Sequence, residues 1–163
     1  MIVPLFRYLD TVGDGSGTKN AIGNYSAGEQ IFKFTNPVSA QCVVITTFIA
    51  HIAGPTNFAL TGYANIAGGL TNGWTMHTTM GGVTTQFLDG EPIKTNDDLA
   101  HFSPKINHLN FNGAGDSLIC PLESSQFGMV LTLHGGDTFQ VILHDDFSTL
   151  TSQHFIIQGY TNT

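Results

Sequence analysis

The longest apolar run of the sequence, CVVITTFIAHIA, occupies residues 42–53. Its valine, isoleucine and threonine residues fall on both alternating faces, and β-branched side chains of this kind favour an extended strand. A strand that is apolar on both faces is typical of the centre of a sheet that is covered on two sides. The sequence therefore predicts a long central strand over 42–53, ended by Gly54-Pro55.

Shorter segments with strand-like alternation recur along the chain, separated by clusters of Gly, Asn, Asp and Pro. Pro4 restricts the first of these segments to the edge of a sheet. Asp89-Gly90 is predicted to form a hairpin turn, and Gly135-Gly136-Asp137 a second one. The predicted strands cover residues 2–8, 30–34, 57–66, 73–79, 83–88, 91–94, 106–111, 127–133, 138–144 and 154–160.

Helices have little support in this composition, since charged residues make up only 10% of the chain and glutamate occurs three times. The one helix candidate is 96–102, where Asn96 can cap the N-terminus and Asp97-Asp98 lie at its positive end. Because 41% of the residues are hydrophobic, intrinsic disorder is excluded. The prediction is an all-β, single-domain antiparallel β-sandwich of jelly-roll type over residues 29–163. Residues 1–28 are predicted to form an N-terminal strand and Gly-rich loop that act as an extended arm.

Net charge narrows the choice of partners. The chain carries 5 Lys and Arg against 12 Asp and Glu, so it has no basic stripe with which to bind nucleic acid. No run reaches the roughly 18 apolar residues that span a bilayer, so no membrane partner is expected, and the first residues lack the features of a signal peptide.

The two cysteines, Cys42 and Cys120, have no metal-type spacing and indicate synthesis in a reducing cytosol. Charged side chains are sparse for a lone soluble domain, which favours a component of a homo-oligomer or larger assembly.

Motifs for chemistry are weak. The segment GDGSGTK at 13–19 lacks the spacing of a phosphate-binding loop, and no two of the seven histidines lie within six positions of each other. The acidic pairs Asp97-Asp98 and Asp145-Asp146 fit caps and turns better than general acid–base catalysis. No enzyme activity, cofactor or metal is predicted, although histidines can converge in space, and a weak calcium site near Asp145 or Asp146 stays open.

Four aromatic residues leave two interpretations open. Trp74, Tyr63, Tyr8 and Tyr25 are amphipathic, and such side chains pack in cores or at interfaces. If they cluster at the surface instead, they can stack on sugar rings. The sequence favours the core or interface interpretation.

Two stretches carry a resemblance to a known class of protein. They are FRYLDTVGDGSGTKNAIGNYS at 6–26 and GGDTFQVILHDDFSTLTSQHFIIQGY at 135–160. With their Gly-, Thr- and Asn-rich opening loop, their V-x-L-x-D-D strand and their final Q-G-Y, they resemble small jelly-roll head proteins of tailed bacteriophages. These are the capsid decoration, or cement, proteins.

The resemblance implies a virion structural protein that binds between major capsid subunits on the capsid exterior and stabilises the shell as a homotrimer. It further implies that extended terminal arms reach adjacent subunits, which would suit residues 1–28. The residues expected at the subunit or capsid interface are Phe6, Arg7, Tyr8 and Tyr25. The alternative is a receptor- or glycan-binding spike or fibre module of the virion.

Overall fold

The computed structural model describes residues 1–15, 30–37, 41–53, 61–63, 66–86, 91–98, 115–121, 130–150 and 152–162. These residues contain nine β-strands, and helical backbone is found among them only at 96–98. The strands are β1 (Ile2–Tyr8), β2 (Gln30–Thr35), β3 (Cys42–Ala53), β4 (Trp74–Met80), β5 (Val83–Gln86), β6 (Gly115–Pro121), β7 (Leu131–Leu133), β8 (Thr138–Leu143) and β9 (Ser152–Asn162).

The strands form two antiparallel sheets, which confirms the predicted all-β sandwich. The larger sheet has the order β1-β9-β3-β6, with β7 also paired to β3, and the smaller sheet has the order β2-β8-β4-β5. The pairs β1–β9, β2–β8, β3–β7 and β4–β5 join early strands to late ones in nested succession.

Strand β3 has the predicted bounds and lies in the interior of the larger sheet. It pairs with β9 along one side and with β6 and β7, end to end, along the other. Phe48 and Ala50 point inward and are fully buried, whereas Ile49 and His51 point outward and are only half-buried. The prediction that both faces are covered is therefore wrong for the outward face at these positions.

Aromatic rings fill the space between the sheets. Phe48 lies 6.3, 5.7 and 6.1 Å, centroid to centroid, from Trp74, Phe139 and Phe155. Trp74 and Tyr63 are both fully buried. The core placement predicted for these two aromatic side chains is confirmed, and neither of them can stack on a sugar at the surface.

The N-terminal residues are built into both sheets. Strand β1 pairs with β9 along its whole length, and Leu5 and Leu9 are buried. The chain then crosses to the smaller sheet, where Asp10 and Lys33 exchange two backbone hydrogen bonds and Gly13 O accepts from Thr35 N at 2.7 Å. Residues 1–15 are thus part of the sandwich, whereas the boundary predicted at 28/29 lies outside the described residues.

Two local predictions are corrected by the topology. Gly135-Gly136-Asp137 does not join a hairpin, because β7 belongs to the larger sheet and β8 to the smaller one. The segment instead carries the chain between the layers. Strand β6 covers Gly115–Pro121, a segment in which the sequence predicted no strand.

The N-cap of the helical turn lies one residue earlier than predicted. Thr95 Oγ1 accepts a hydrogen bond from Asp98 N at 3.1 Å, and Asp98 Oδ2 accepts one from Thr95 N at 2.9 Å. This reciprocal pair is a capping box, in which Thr95 rather than Asn96 is the N-cap. Asn96 is buried instead.

Several of the predicted strands are only partly formed, or lie partly outside the described residues. Residues 61–63 and 66 form a turn closed by a Tyr63–Ile66 bridge, and 91–94 contribute a single bridge from Ile93 to Trp74. The predictions for 54–60, 64–65, 87–90, 99–114 and 122–129 lie outside the described residues. The part of the chain that the structure describes holds no helix with the length and apolar character needed to cross a membrane.

Candidate functional site

The outward side of the larger sheet presents a broad surface, here called the outer face. Its members are the outward-pointing residues of three adjacent strands, and none of them is Asp, Glu, Lys or Arg. They are Ile2, Pro4, Phe6 and Tyr8 on β1, His154, Ile156, Gln158, Tyr160 and Asn162 on β9, and Val44, Thr47, Ile49 and His51 on β3. Two of them, Val44 and Ile156, are only 8% exposed.

Four rings form a row across the outer face. Phe6 lies 5.4 Å from Tyr8, Tyr8 lies 5.8 Å from His154, and His154 lies 5.6 Å from His51, all between ring centroids. Each step brings an edge towards a face, with interplanar angles of 82°, 62° and 76°. The row runs from the edge strand to the middle of the sheet and packs its rings against one another.

Exposed apolar side chains concentrate beside this row. Of the large hydrophobic residues that the structure shows exposed, Ile2 and Phe6 belong to the outer face, with exposed fractions of 67% and 45%, and Met1 precedes them at 85%. Val3 is also exposed, but it lies on the opposite side of β1, as Arg7 does. The outward positions of the smaller sheet hold mainly threonine and glutamine. A contiguous exposed apolar patch marks a surface that binds something, so the outer face at β1 is the candidate site.

The backbone edge of β1 is partly protected. Leu9 N donates to Phe155 O, so by alternation the odd-numbered residues direct their backbone groups to β9 and the even-numbered ones direct theirs away. On that free side Pro4 offers no N–H, and Phe6 O already accepts from Arg7 Nη1 at 2.9 Å. A proline and an arginine on an edge strand discourage addition of a further strand. Binding at β1 is therefore better served by side chains than by backbone pairing.

The predicted interface residues fall into three groups. Phe6 and Tyr8 lie on the outer face, Phe6 45% exposed and Tyr8 half-buried. Arg7 is exposed but lies on the opposite side of β1, with its side chain against Gly15. Tyr25 lies outside the described residues. The structure thus brings together two of the four, and it adds Ile2 and the two histidines, which sequence reasoning missed because cross-strand register was unknown.

Arg7 also lines a cleft of about 320 Å³ between the edges of the two sheets. Its apolar walls come from Leu5, Phe34 and Val43, and its rim is polar, with Asp14, Asn36, Gln41 and Thr161 among the lining residues. Asn36 is committed to the fold, because its Nδ2 donates to Gln41 O and Leu133 O at 3.0 and 2.9 Å.

Several carboxylates serve the backbone. Asp98 accepts from Lys94 N and Thr95 N, and Asp146 accepts from Ser148 N at 2.8 Å. Asp145 accepts from Asn72 N and Gly73 N, and Asp10 from Val12 N and Gly13 N. The cap role predicted for Asp98 and the turn role predicted for Asp146 are confirmed. Asp145 instead holds a distant loop, through Asn72 N and Gly73 N.

Asp137 ties two turns together. Its Oδ1 accepts from Gly81 N and its Oδ2 from His134 N, both at 2.9 Å. These backbone hydrogen bonds hold the pKa of the Asp137 carboxyl below its ordinary value, and the nearby His134 ring adds to the effect. The carboxylate is a structural group that links the crossing segment to the β4–β5 turn.

Histidines meet in two places. His51 and His154 are register partners on the outer face, and His77 and His144 both contact Thr75 on the other side of the sandwich. Within the described ranges no three His, Cys, Asp or Glu side chains come together in a way that could hold a metal ion.

Comparison with known proteins adds no family. No family model matches the chain, and no curated protein matches it significantly.

Proposed function

We propose that the protein is a virion structural protein that decorates and stabilises the outside of a phage capsid. It would bind between major capsid subunits, self-associate as a homotrimer, and act by contact rather than by catalysis. The outer face supplies the contact surface. The observation that carries the proposal is the ring row of this face, continuous with the exposed apolar side chains of β1 and free of formal charge.

The physics of docking favours such a surface. Interface cores are depleted of charged residues and enriched in aromatic ones, because burying an unpaired charge against a partner is costly. The outer face holds no Asp or Glu, so a partner can cover it without burying a carboxylate. Repeated with the symmetry of a shell, many such modest contacts sum to a stable assembly.

The strand order supports the jelly-roll part of the proposal. In a jelly roll an antiparallel ribbon is rolled so that its two halves face each other as two sheets. The nested pairs β1–β9, β2–β8 and β4–β5, together with the additional pairs β3–β9 and β4–β8, support this description. We therefore propose the jelly roll as the finer description of the sandwich.

The alternative, a receptor- or glycan-binding module, gains less support. Trp74 and Tyr63 are buried. The rings of the outer face meet edge to face, at 62° to 82°, rather than lying side by side as a flat platform. Sugar rings stack on an exposed aromatic face, which such packing does not offer.

A matched pair of variants tests the proposal. Ile2 on the outer face and Val83 on β5 are both β-branched and both 67% exposed, so an aspartate at either position should leave the fold intact. We expect Ile2→Asp and Phe6→Asp to weaken binding to isolated cognate heads at least tenfold, and Val83→Asp to leave it unchanged. The measurements are cosedimentation with heads and the temperature at which the heads rupture.

The outcomes separate the candidate functions. Decoration requires that the native chain binds heads and raises their rupture temperature. A chain that binds host cells or glycans and leaves the heads unaffected supports the receptor alternative instead. Equal losses for Ile2→Asp and Val83→Asp would show that the outer face is not the docking surface.

A further inference from the structure

The second histidine cluster lies on the smaller sheet, remote from the outer face. His77 Nε2 lies 2.9 Å from Thr75 Oγ1, and His144 Nε2 lies 3.0 Å from the same oxygen. Because both distances end on one atom, the two Nε2 nitrogens are at most about 6 Å apart. Two imidazoles thus aim their ε nitrogens at one point.

The backbone that carries these rings is well fixed. Thr75 and His77 belong to β4, which pairs with β8 on one side and β5 on the other. His144 follows β8 directly, and its N donates to Gly73 O at 3.0 Å while its O accepts from Asn72 Nδ2 at 3.2 Å. Asp145 anchors the same strand end through Gly73 N. A ligand that binds the two rings would therefore meet a prepared geometry.

The three side chains of the cluster differ in their exposure to solvent. Thr75 is 7% exposed, whereas His77 and His144 are half-buried. The hydroxyl thus lies beneath the two imidazoles, which themselves remain within reach of solvent. A small ion can approach this point without any change in the strands.

The chemistry of the cluster matches a soft to borderline metal ion. The Thr75 hydroxyl can accept a hydrogen bond from one Nε2–H and donate its own proton to the other Nε2. When each ring carries its proton on Nδ1 instead, both Nε2 atoms present a lone pair. A metal ion can accept both lone pairs at once, at about 2.0–2.1 Å from each nitrogen. That requires the nitrogens to be about 3–4 Å apart, which small rotations of two half-buried rings can reach.

We propose that His77 and His144 form a two-imidazole site for a divalent transition-metal ion, with the Thr75 hydroxyl beside it and water completing the coordination. Imidazole binds Cu²⁺, Ni²⁺ and Zn²⁺, with Cu²⁺ held most tightly, whereas Mg²⁺ and Ca²⁺ prefer oxygen. The net negative charge of the chain favours the approach of cations. A bound ion would link β4 to the end of β8.

Calorimetric titration of the full chain with Cu²⁺ and Ni²⁺ near neutral pH tests the site. We expect one ion per chain, no binding of Mg²⁺, and at least a tenfold weaker affinity in His77→Ala and in His144→Ala. His134→Ala and His154→Ala are the controls, since His134 is a surface residue and His154 belongs to the separate pair with His51. Both controls should bind as tightly as the native chain.

A second measurement needs no variant and so does not depend on how the alanine variants fold. Substoichiometric Cu²⁺ should broaden the imidazole proton resonances of His77 and His144 before those of any other histidine. The proposal is overturned if the native chain binds no ion, if the His154→Ala loss equals the His77→Ala loss, or if another histidine broadens first.

Discussion

Replacing Tyr63 by phenylalanine tests the polar centre of the core. The Tyr63 hydroxyl accepts hydrogen bonds from Trp74 Nε1 and Gln153 Nε2, each at 2.8 Å, and all three side chains are fully buried. Tyr63→Phe keeps the ring and removes only the shared acceptor. Two buried N–H donors then lose this acceptor, at about 1–3 kcal/mol each. We expect a loss of about 2–6 kcal/mol from a free energy of unfolding that is typically about 5–15 kcal/mol.

The chain carries its own reporter for this measurement. Trp74 is the single tryptophan, so equilibrium unfolding in urea can be followed by its fluorescence from the site of the perturbation. Tyr160→Phe, a half-buried tyrosine of the outer face, is the control and should cost less than about 0.5 kcal/mol.

A double variant checks the cause. If N–H donors without an acceptor account for the lost stability, the double variant Tyr63→Phe/Gln153→Met should lose less stability than the two single variants added together. The reason is that Gln153→Met removes one of the two donors that Tyr63→Phe leaves without this acceptor. A Tyr63→Phe loss below about 0.5 kcal/mol would refute the reasoning, as would strict additivity of the two changes.

Three further outcomes follow from the same structure. The pKa of Asp137 is lower in the folded protein, so its carboxylate stabilises the fold above the ordinary carboxyl pKa of 3.8, and this stabilisation is lost as pH falls below that value. Asp137→Asn should therefore weaken the dependence of the free energy of unfolding on acid pH, measured by urea unfolding. An unchanged pH profile in this variant would contradict the argument. Burial raises the pKa of the Tyr63 phenol, so the free energy of unfolding should fall as pH rises above about 10. Ultraviolet titration should show one tyrosine that ionises only when the protein unfolds, and the Tyr63→Phe variant should lack this titration step. Gly159→Ala would drive a Cβ into the Val44 carbonyl and should cost at least about 2 kcal/mol in thermal unfolding, whereas a fully stable variant would show that β3 can move aside.

Most of the strands could be read from the sequence because one face of each is buried. In β8, Phe139, Val141 and Leu143 are all buried and alternate with half-buried residues, so the alternation in the sequence marks the strand and its inner face. Strand β6, with the sequence GDSLICP, carries no such pattern. Its pairing with β3 depends on partners more than sixty positions away, and a local pattern cannot supply that information.

The candidate site was harder to predict than the fold. Phe6, Arg7 and Tyr8 are all expected at the interface from the sequence. Arg7 nevertheless points to the other side of the strand, because adjacent residues of a strand alternate in direction. His51 and His154 are 103 positions apart and meet only through the register of β3 with β9. The same holds for His77 and His144, which local spacing had separated. Polar residues that are distant in the sequence come together through the pairing of strands, and a single sequence does not show which strands pair or in what register.

The strand partners of the outer face determine when it can exist. The surface combines β1, made early, with β9, whose residues follow some 150 positions later. Until Ser152–Asn162 has been synthesised and inserted between β1 and β3, a growing or partly folded chain has no such face to offer. Docking through the outer face, as proposed, therefore has to follow the pairing of β9 with both β1 and β3.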